Sequence, residues 1–244
     1  MNSICHSNNS HYPKVEVVKI IPAISQDELF EHRHCYLGVS LANRLFEKPY
    51  LPALLEWIAA HFESCLVIIG DHLCRYNERI FRGLDTPQAG DAALEMGRQY
   101  IKNNRHFFEQ YPNDKFQLTG WREHLNSEQF KEANQRLKKL FETNEEFRKA
   151  VEKDAFGYIN RKSKHGLTPA VDTEEAAELS CEYLIEEIAV FSVVSQQGWQ
   201  VEIYPGPELA LLEEIATGKY ADLPAGLEKR INVELKIHPY KRQH

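Results

Sequence analysis

The sequence predicts an α/β fold, a doubly wound parallel sheet flanked by helices in a single domain. Three observations predict it. Short β-branched runs alternate with long amphipathic stretches, the pattern of strands linked by crossover helices. Cys65-Leu-Val-Ile-Ile69 is apolar without interruption, as a strand covered on both faces must be. A chain of 244 residues that is 43% hydrophobic can bury a large core, and no repeat or low-complexity linker divides it.

The elements follow in order. Residues 1–13 read as a loose tail, leaving 14–244 for the domain. Val15-Glu-Val-Val-Lys-Ile20 and Cys35-Tyr-Leu-Gly-Val39 are expected strands, and Leu51 to Phe62 is a helix opened by Pro49 or Pro52. The buried strand Cys65–Gly70 comes next. Helical periodicity then covers Asp91–Gln110, Ser127–Thr143, Glu145–Arg161 and Thr173–Phe191. Lys162-Ser-Lys-His-Gly-Leu-Thr-Pro169 is the longest expected internal loop, and Val201-Glu-Ile-Tyr204 and Ile231–Ile237 are the late strands.

Composition excludes several classes. The longest apolar runs fall far short of the roughly 20 residues that span a bilayer, and the polar N-terminus has no signal-peptide core. A soluble cytoplasmic protein without a membrane partner is expected. Five cysteines with no Cys-x-x-Cys pair indicate reduced thiols, several of them buried, with neither a disulfide framework nor a metal site. The Gly-x-x-x-x-Gly-Lys and Gly-x-Gly-x-x-Gly phosphate loops are absent, so neither ATP nor a dinucleotide cofactor is implied.

In an open α/β sheet, ligands bind beyond the carboxyl ends of the strands, where Ser40 and Asp71 are expected. Ser40 lies in Gly38-Val-Ser40-Leu-Ala42, which lacks the second glycine of a hydrolase elbow. More than half the chain away, Tyr183-Leu-Ile-Glu-Glu187 sets a phenol and a carboxylate one helical turn apart. A serine combined with such a pair suggests covalent chemistry on an amine-bearing substrate. Spacing leaves Glu186 and Glu187 both within reach of Tyr183. A net charge of −7 does not exclude a polyanion, because local arrangement governs binding. Arg98, Lys102 and Arg105 recur at i, i+4 and i+7 on one helical face, and Arg75, Arg79 and Arg82 repeat the spacing. Either triplet taken alone is ordinarily a solvated face.

His34-Cys-Tyr-Leu-Gly-Val-Ser40, Tyr183-Leu-Ile-Glu-Glu-Ile-Ala189 and Tyr204-Pro205 together resemble the cyclodipeptide synthases. Tyr36 stands where that family usually has an aliphatic residue, and Ala189 where it has proline. Tyr204-Pro205 is similar to the Tyr-Pro branch of the family, to which the chain is assigned, whereas Asn43 is similar to the other branch. The resemblance spans roughly residues 15–240. It implies a Rossmann-type fold related to tyrosyl- and tryptophanyl-tRNA synthetases, and a monomeric aminoacyltransferase that joins two aminoacyl-tRNAs into a cyclic dipeptide without cofactor, metal or ATP. It further implies that Ser40 carries first an aminoacyl and then a dipeptidyl group, that Tyr183 and Glu187 hold the substrate ammonium, and that Tyr204 relays protons during ring closure. Gly38 and Asn43 would contact substrate, and Arg98, Lys102 and Arg105 the tRNA phosphates. Because an aminoacyl ester is already activated, its transfer to a serine hydroxyl exchanges one ester for another at little net cost. Two other readings remain at this stage: a serine esterase using Ser40 with an unidentified histidine, and a non-catalytic tRNA-binding module.

Overall fold

The computed structural model describes residues 13–41 and 43–238; almost all of the expected tail and Cys5 fall outside them. Six strands form one sheet: β1 (Val15–Ile21), β2 (His34–Val39), β3 (Ser64–Ile69), β4 (Phe116–Gly120), β5 (Val201–Pro205) and β6 (Ile231–Ile237), in the order β1-β6-β5-β2-β3-β4. All neighbours run parallel except β1, which pairs antiparallel with β6. The fully parallel expectation is therefore corrected at one edge, where β1 pairs with a strand more than two hundred residues away.

The helices are α1 (Gln26–Glu31), α2 (Tyr50–His61), α3 (Arg75–Arg82), α4 (Thr86–Phe108), α5 (Trp121–His124), α6 (Glu128–Thr143), α7 (Glu145–Lys164), α8 (Thr173–Gln196) and α9 (Ala210–Ala216). Their starts follow local chemistry. Asp85, Ser127, Asn144 and Asp172 each accept a backbone N–H of the first turn of α4, α6, α7 and α8, satisfying donors that a helix leaves unpaired. Helix α7 absorbs the first three residues of the expected 162–169 loop, which is shorter than its sequence suggested. Helix α8 extends past Ala189 to Gln196, a continuation that proline at that position would oppose.

Two cores sandwich the sheet. Leu37, Val39, Val67, Ile69 and Ile203 pack with Leu51, Leu55 and Ile58 of α2 and Tyr100 and Phe107 of α4. On the opposite face Tyr36, Leu66 and Ile68 meet α8, which is backed by α6 and α7, with α9 against α7. Alternation along β2 thus sends Tyr36 one way and Leu37 the other, both fully buried.

This topology creates one crevice. From the central strand β2 the chain crosses through α2 to β3 on one side, and only after α8 does β5 pair on the other. The carboxyl ends of β2 and β5 therefore diverge at a topological switch point, where open α/β sheets bind ligands. Among the described residues no helix is long and apolar enough to cross a membrane.

Candidate active site

Ser40 is the first residue beyond β2 and is half-buried; its carbonyl accepts the Asn43 amide at 3.2 Å in a tight turn. Its hydroxyl makes no hydrogen bond among the described residues, with a histidine or otherwise. His34 stands at the opposite end of β2, exposed and 2.8 Å from Ser64 Oγ, so a strand of about 20 Å separates it from Ser40. It anchors strands rather than serving chemistry.

Asn43 caps the short turn Arg44–Phe46 by accepting the Leu45 amide at 3.1 Å, and its side chain also hydrogen-bonds the Tyr204 phenol. That phenol sits near the end of β5 with its ring 6.0 Å from Phe46. Burial pushes its pKa up to about 12, with the carboxyls of Glu187 and Glu208 acting in the same direction. Tyr204 consequently keeps its proton at neutral pH and can donate.

Helix α8 brings Tyr183 and Glu187 to this crevice. Burial, then Glu187, pushes the Tyr183 phenol well above its usual range. Burial raises the Glu187 carboxyl to about 7, against the charge of Arg230 and a hydrogen bond from Tyr183. The Tyr183 ring stacks on Tyr158 of α7 at 6.3 Å and meets Tyr76 of α3 edge-on at 6.2 Å, forming an aromatic wall. Such a carboxyl can hold an ammonium when ionised and can take its proton.

The two adjacent glutamates, inseparable by spacing, are separated by their partners. Glu186 accepts Arg75 Nη1 at 2.8 Å, Arg75 Nη2, the Tyr76 hydroxyl at 3.1 Å and Trp121 Nε1 at 3.0 Å. Its acceptor capacity is filled, and it pins α8 to α3 and α5. Glu187 lies about 100° further round the helix and faces the crevice.

Arg75, Arg79 and Arg82 pair with Glu186, Glu175 and Glu78, the first two reaching across to α8. Arg98, Lys102 and Arg105 are exposed on α4, opposite the side that buries Ala93, Tyr100 and Phe107. Arg98 pairs with Glu95 at 2.7 Å and Arg105 with Glu109 at 2.7 Å, while Lys102 makes no ion pair among the described residues. Asp71 does lie beyond β3 as expected, but its carboxylate accepts the His72 and Trp121 amides at 2.6 and 2.9 Å and is a structural cap. A Cβ at Gly97 would overlap its side chain, so α4 can approach only through a glycine.

Sequence reasoning missed Tyr158, Glu208 and Arg230. Burial raises the Glu208 carboxyl to about 8, with Glu187 and Glu234 adding to the effect. Arg230 is fully buried just before β6; its Nε donates to the Tyr36 hydroxyl at 2.8 Å, and its Nη2 pairs with Glu202 and lies 3.7 Å from Glu208. Glu208 and Arg230 are isolated charges in loops next to β5 and β6, and Tyr158 is one more aromatic on a helix, so none carries a periodic signal. Only Tyr36, departing from an aliphatic norm, hinted at a polar interior beneath Gly38.

A family model described as cyclodipeptide synthase matches residues 23–196, which include Ser40, Asn43, Tyr183 and Glu187 and stop before Tyr204. Among solved structures, the chain is similar to a cyclodipeptide synthase from Fluoribacter dumoffii, with TM-score 0.78, 22% identity, and coverage of 94% of this chain and 99% of that one. It is also similar to a cyclodipeptide synthase from Bacillus thermoamylovorans, with TM-score 0.72, 20% identity, and coverage of 91% and 96%. A third, the synthase from Candidatus Glomeribacter gigasporarum bound to Phe-tRNAPhe, gives TM-score 0.59 and 16% identity over 86% and 89% of the two chains. A search of curated protein sequences returned no match.

Proposed function

Because this chain belongs to the cyclodipeptide synthase family, we propose that it condenses two aminoacyl-tRNAs into a cyclic dipeptide through ester intermediates on Ser40, as a member of the Tyr-Pro branch. The observation that carries the reading is the switch-point crevice: Ser40 at the exit of β2, the hydrogen-bonded pair Asn43 and Tyr204, and the pair Tyr183 and Glu187 converge there from three remote segments.

In the first step the Ser40 hydroxyl attacks the ester carbonyl of one aminoacyl-tRNA, and the terminal ribose hydroxyl leaves with a proton. One ester replaces another, so no nucleotide hydrolysis is required. Glu187 and Tyr183 bind the substrate α-ammonium and orient the ester, and positioning of this kind lowers a barrier by several kcal/mol. In the second step the amine of the seryl ester attacks the carbonyl of a second aminoacyl-tRNA, the ester bond to its ribose breaks, the ribose hydroxyl leaves with a proton, and a dipeptidyl group remains on Ser40. The ammonium must first lose its proton, and a Glu187 carboxyl near 7 is suited to accept it. Ring closure follows when the dipeptide's terminal amine attacks the seryl ester. Tyr204, a neutral phenol beside both Glu187 and Asn43, passes a proton to the departing Ser40 oxygen.

The exposed side of α4, with Lys102 unpaired between two arginines, receives the phosphates of the tRNA. The relative bound to Phe-tRNAPhe supports that choice of partner. Among the described residues no histidine bonds Ser40, which weighs against the esterase reading, and a binding module would have no use for a carboxyl and two phenols gathered near the serine. Incubation with aminoacylated tRNA should add an aminoacyl mass to the peptide containing Ser40 and release cyclic dipeptide. Ser40→Ala should abolish both, and undiminished product from that variant would overturn the covalent route.

A further inference from the structure

Beneath the crevice lies a polar sector that the proposed reaction does not use. Tyr36 of β2 is registered opposite Glu202 of β5, and Glu202 opposite Asn232 of β6, so all three project from the face that α8 covers. Glu202 is 3% exposed and its Oε2 accepts the Tyr36 hydroxyl at 3.1 Å and Arg230 Nη2. Arg230 Nη1 and both polar atoms of Asn232, all buried, have no protein hydrogen-bond partner among the described residues. An ordinary core fills such a place with aliphatic side chains.

Glu202 Oε1 accepts no hydrogen bond among the described residues and faces Gly38: a Cβ built there would stand 3.8 Å from it, with no other neighbour closer. Gly38 is two residues beyond Tyr36 on the same side of β2 and two before Ser40, the first residue past the strand, so each step is about 7 Å or less. A glycine at this point leaves the sheet face open between the nucleophile and the carboxylate. An acyl group on Ser40 that lays its side chain back over β2 therefore meets Glu202 Oε1.

We propose that Glu202, held in place by Arg230 and Tyr36, selects the amino acid loaded onto Ser40, favouring a side chain with an N–H or O–H donor at its end. The inference rests on the cyclodipeptide-synthase reading above. An apolar side chain would strip water from a carboxylate oxygen without replacing its hydrogen bond, whereas a donor replaces it. Discrimination between a donor-bearing amino acid and its apolar near-isostere of about 10- to 100-fold is the scale such a contact supplies.

The test uses the full chain with bacterial tRNA charged with all twenty amino acids, followed by mass analysis of the Ser40 adduct and of the cyclic products. Paired competitions of tyrosine against phenylalanine and threonine against valine then measure the ratio of kcat/KM. A donor-bearing residue should occupy Ser40 first. Glu202→Leu combined with Arg230→Met removes both charges together, leaving neither stranded in the core, and should invert the preference toward apolar residues. The shape-conserving Glu202→Gln should show an intermediate ratio even if the double variant fails to fold. An apolar residue loaded first by the unaltered chain, or a preference unchanged in Glu202→Gln and the double variant, would overturn the selection role while leaving the reaction intact. Absence of any adduct and any cyclic product would instead overturn the reaction.

Discussion

Replacing each of the consecutive glutamates of α8 by glutamine should move stability and activity in opposite directions. Glu187 is an ordinary carboxyl near 4.5 raised to about 7 by burial, which corresponds to roughly 3 kcal/mol of unfavourable ionisation in the folded state. The folded state holds this proton more tightly than the unfolded chain. Below about pH 4.5 there is no cost; the cost grows as pH rises toward 7 and is constant above. At pH 8, Glu187→Gln should therefore raise Tm by up to roughly 6–12 °C, at about 2–4 °C per kcal/mol for a chain of this size, while cyclic dipeptide formation collapses. Glu186→Gln should do the reverse. Its charge answers a half-buried arginine through two guanidinium contacts, and breaking such a pair from one side costs about 3 kcal/mol, a similar fall in Tm. The activity of the molecules that remain folded should survive. Thermal unfolding at pH 4.5 and 8, with product yield measured well below Tm, decides the matter. A Glu187→Gln protein less stable than the parent at pH 8, or full activity in that variant, would refute the assignment of clamp and anchor.

Three further outcomes are expected. Tyr204→Phe keeps the ring against Phe46 but removes the phenol, so Ser40 should still be acylated and intact-protein mass spectrometry should show a dipeptidyl adduct accumulating as product falls; loss of all acylation would place Tyr204 in first-substrate binding. Alanine at Arg98, Lys102 and Arg105 together should weaken use of aminoacyl-tRNA and flatten its salt dependence, with Lys102→Ala alone accounting for much of the change because the arginines already share charge with Glu95 and Glu109; an unchanged salt slope in the triple variant would return α4 to an ordinary solvated surface. The kcat/KM for aminoacyl-tRNA should rise with pH through about 7 as Glu187 ionises in the free enzyme, and a flat profile between pH 6 and 8 would remove that carboxyl from substrate capture.

The parts of the fold that were legible in the sequence are those with strong periodicity. β3 has five consecutive buried positions, and α4, α6 and α7 turn apolar stripes inward, so composition alone marks them. β4 was invisible because Phe116-Gln-Leu-Thr-Gly120 is a five-residue edge strand in which only Phe116 is buried. The antiparallel setting of β1 was unreadable for another reason: strand direction depends on a partner, and that partner, β6, comes at the far end of the described chain. Charge spacing at Arg75, Arg79 and Arg82 was undecided, since the same interval suits a face turned to water, as at Arg82, and one turned to acidic residues of α8 about a hundred positions later, as at Arg75 and Arg79. Ser40, Tyr183, Glu187 and Tyr204 were nameable because a family pattern joins them. Glu202, Glu208 and Arg230 belong to no such pattern, and their meaning arises only from packing.

The position of β5 in the sheet has a consequence for synthesis of the protein itself. Ser40 leaves the ribosome ahead of β3 and β4, but the carboxyl end of β2 gains its second wall only when α8 and β5 emerge, roughly 130 to 165 residues afterwards. Until then the serine has neither Glu187 nor Tyr204 near it. A nascent chain on the ribosome is surrounded by charged tRNAs. A chain that presents its serine before these residues has only one wall of the crevice until the final third of the fold docks.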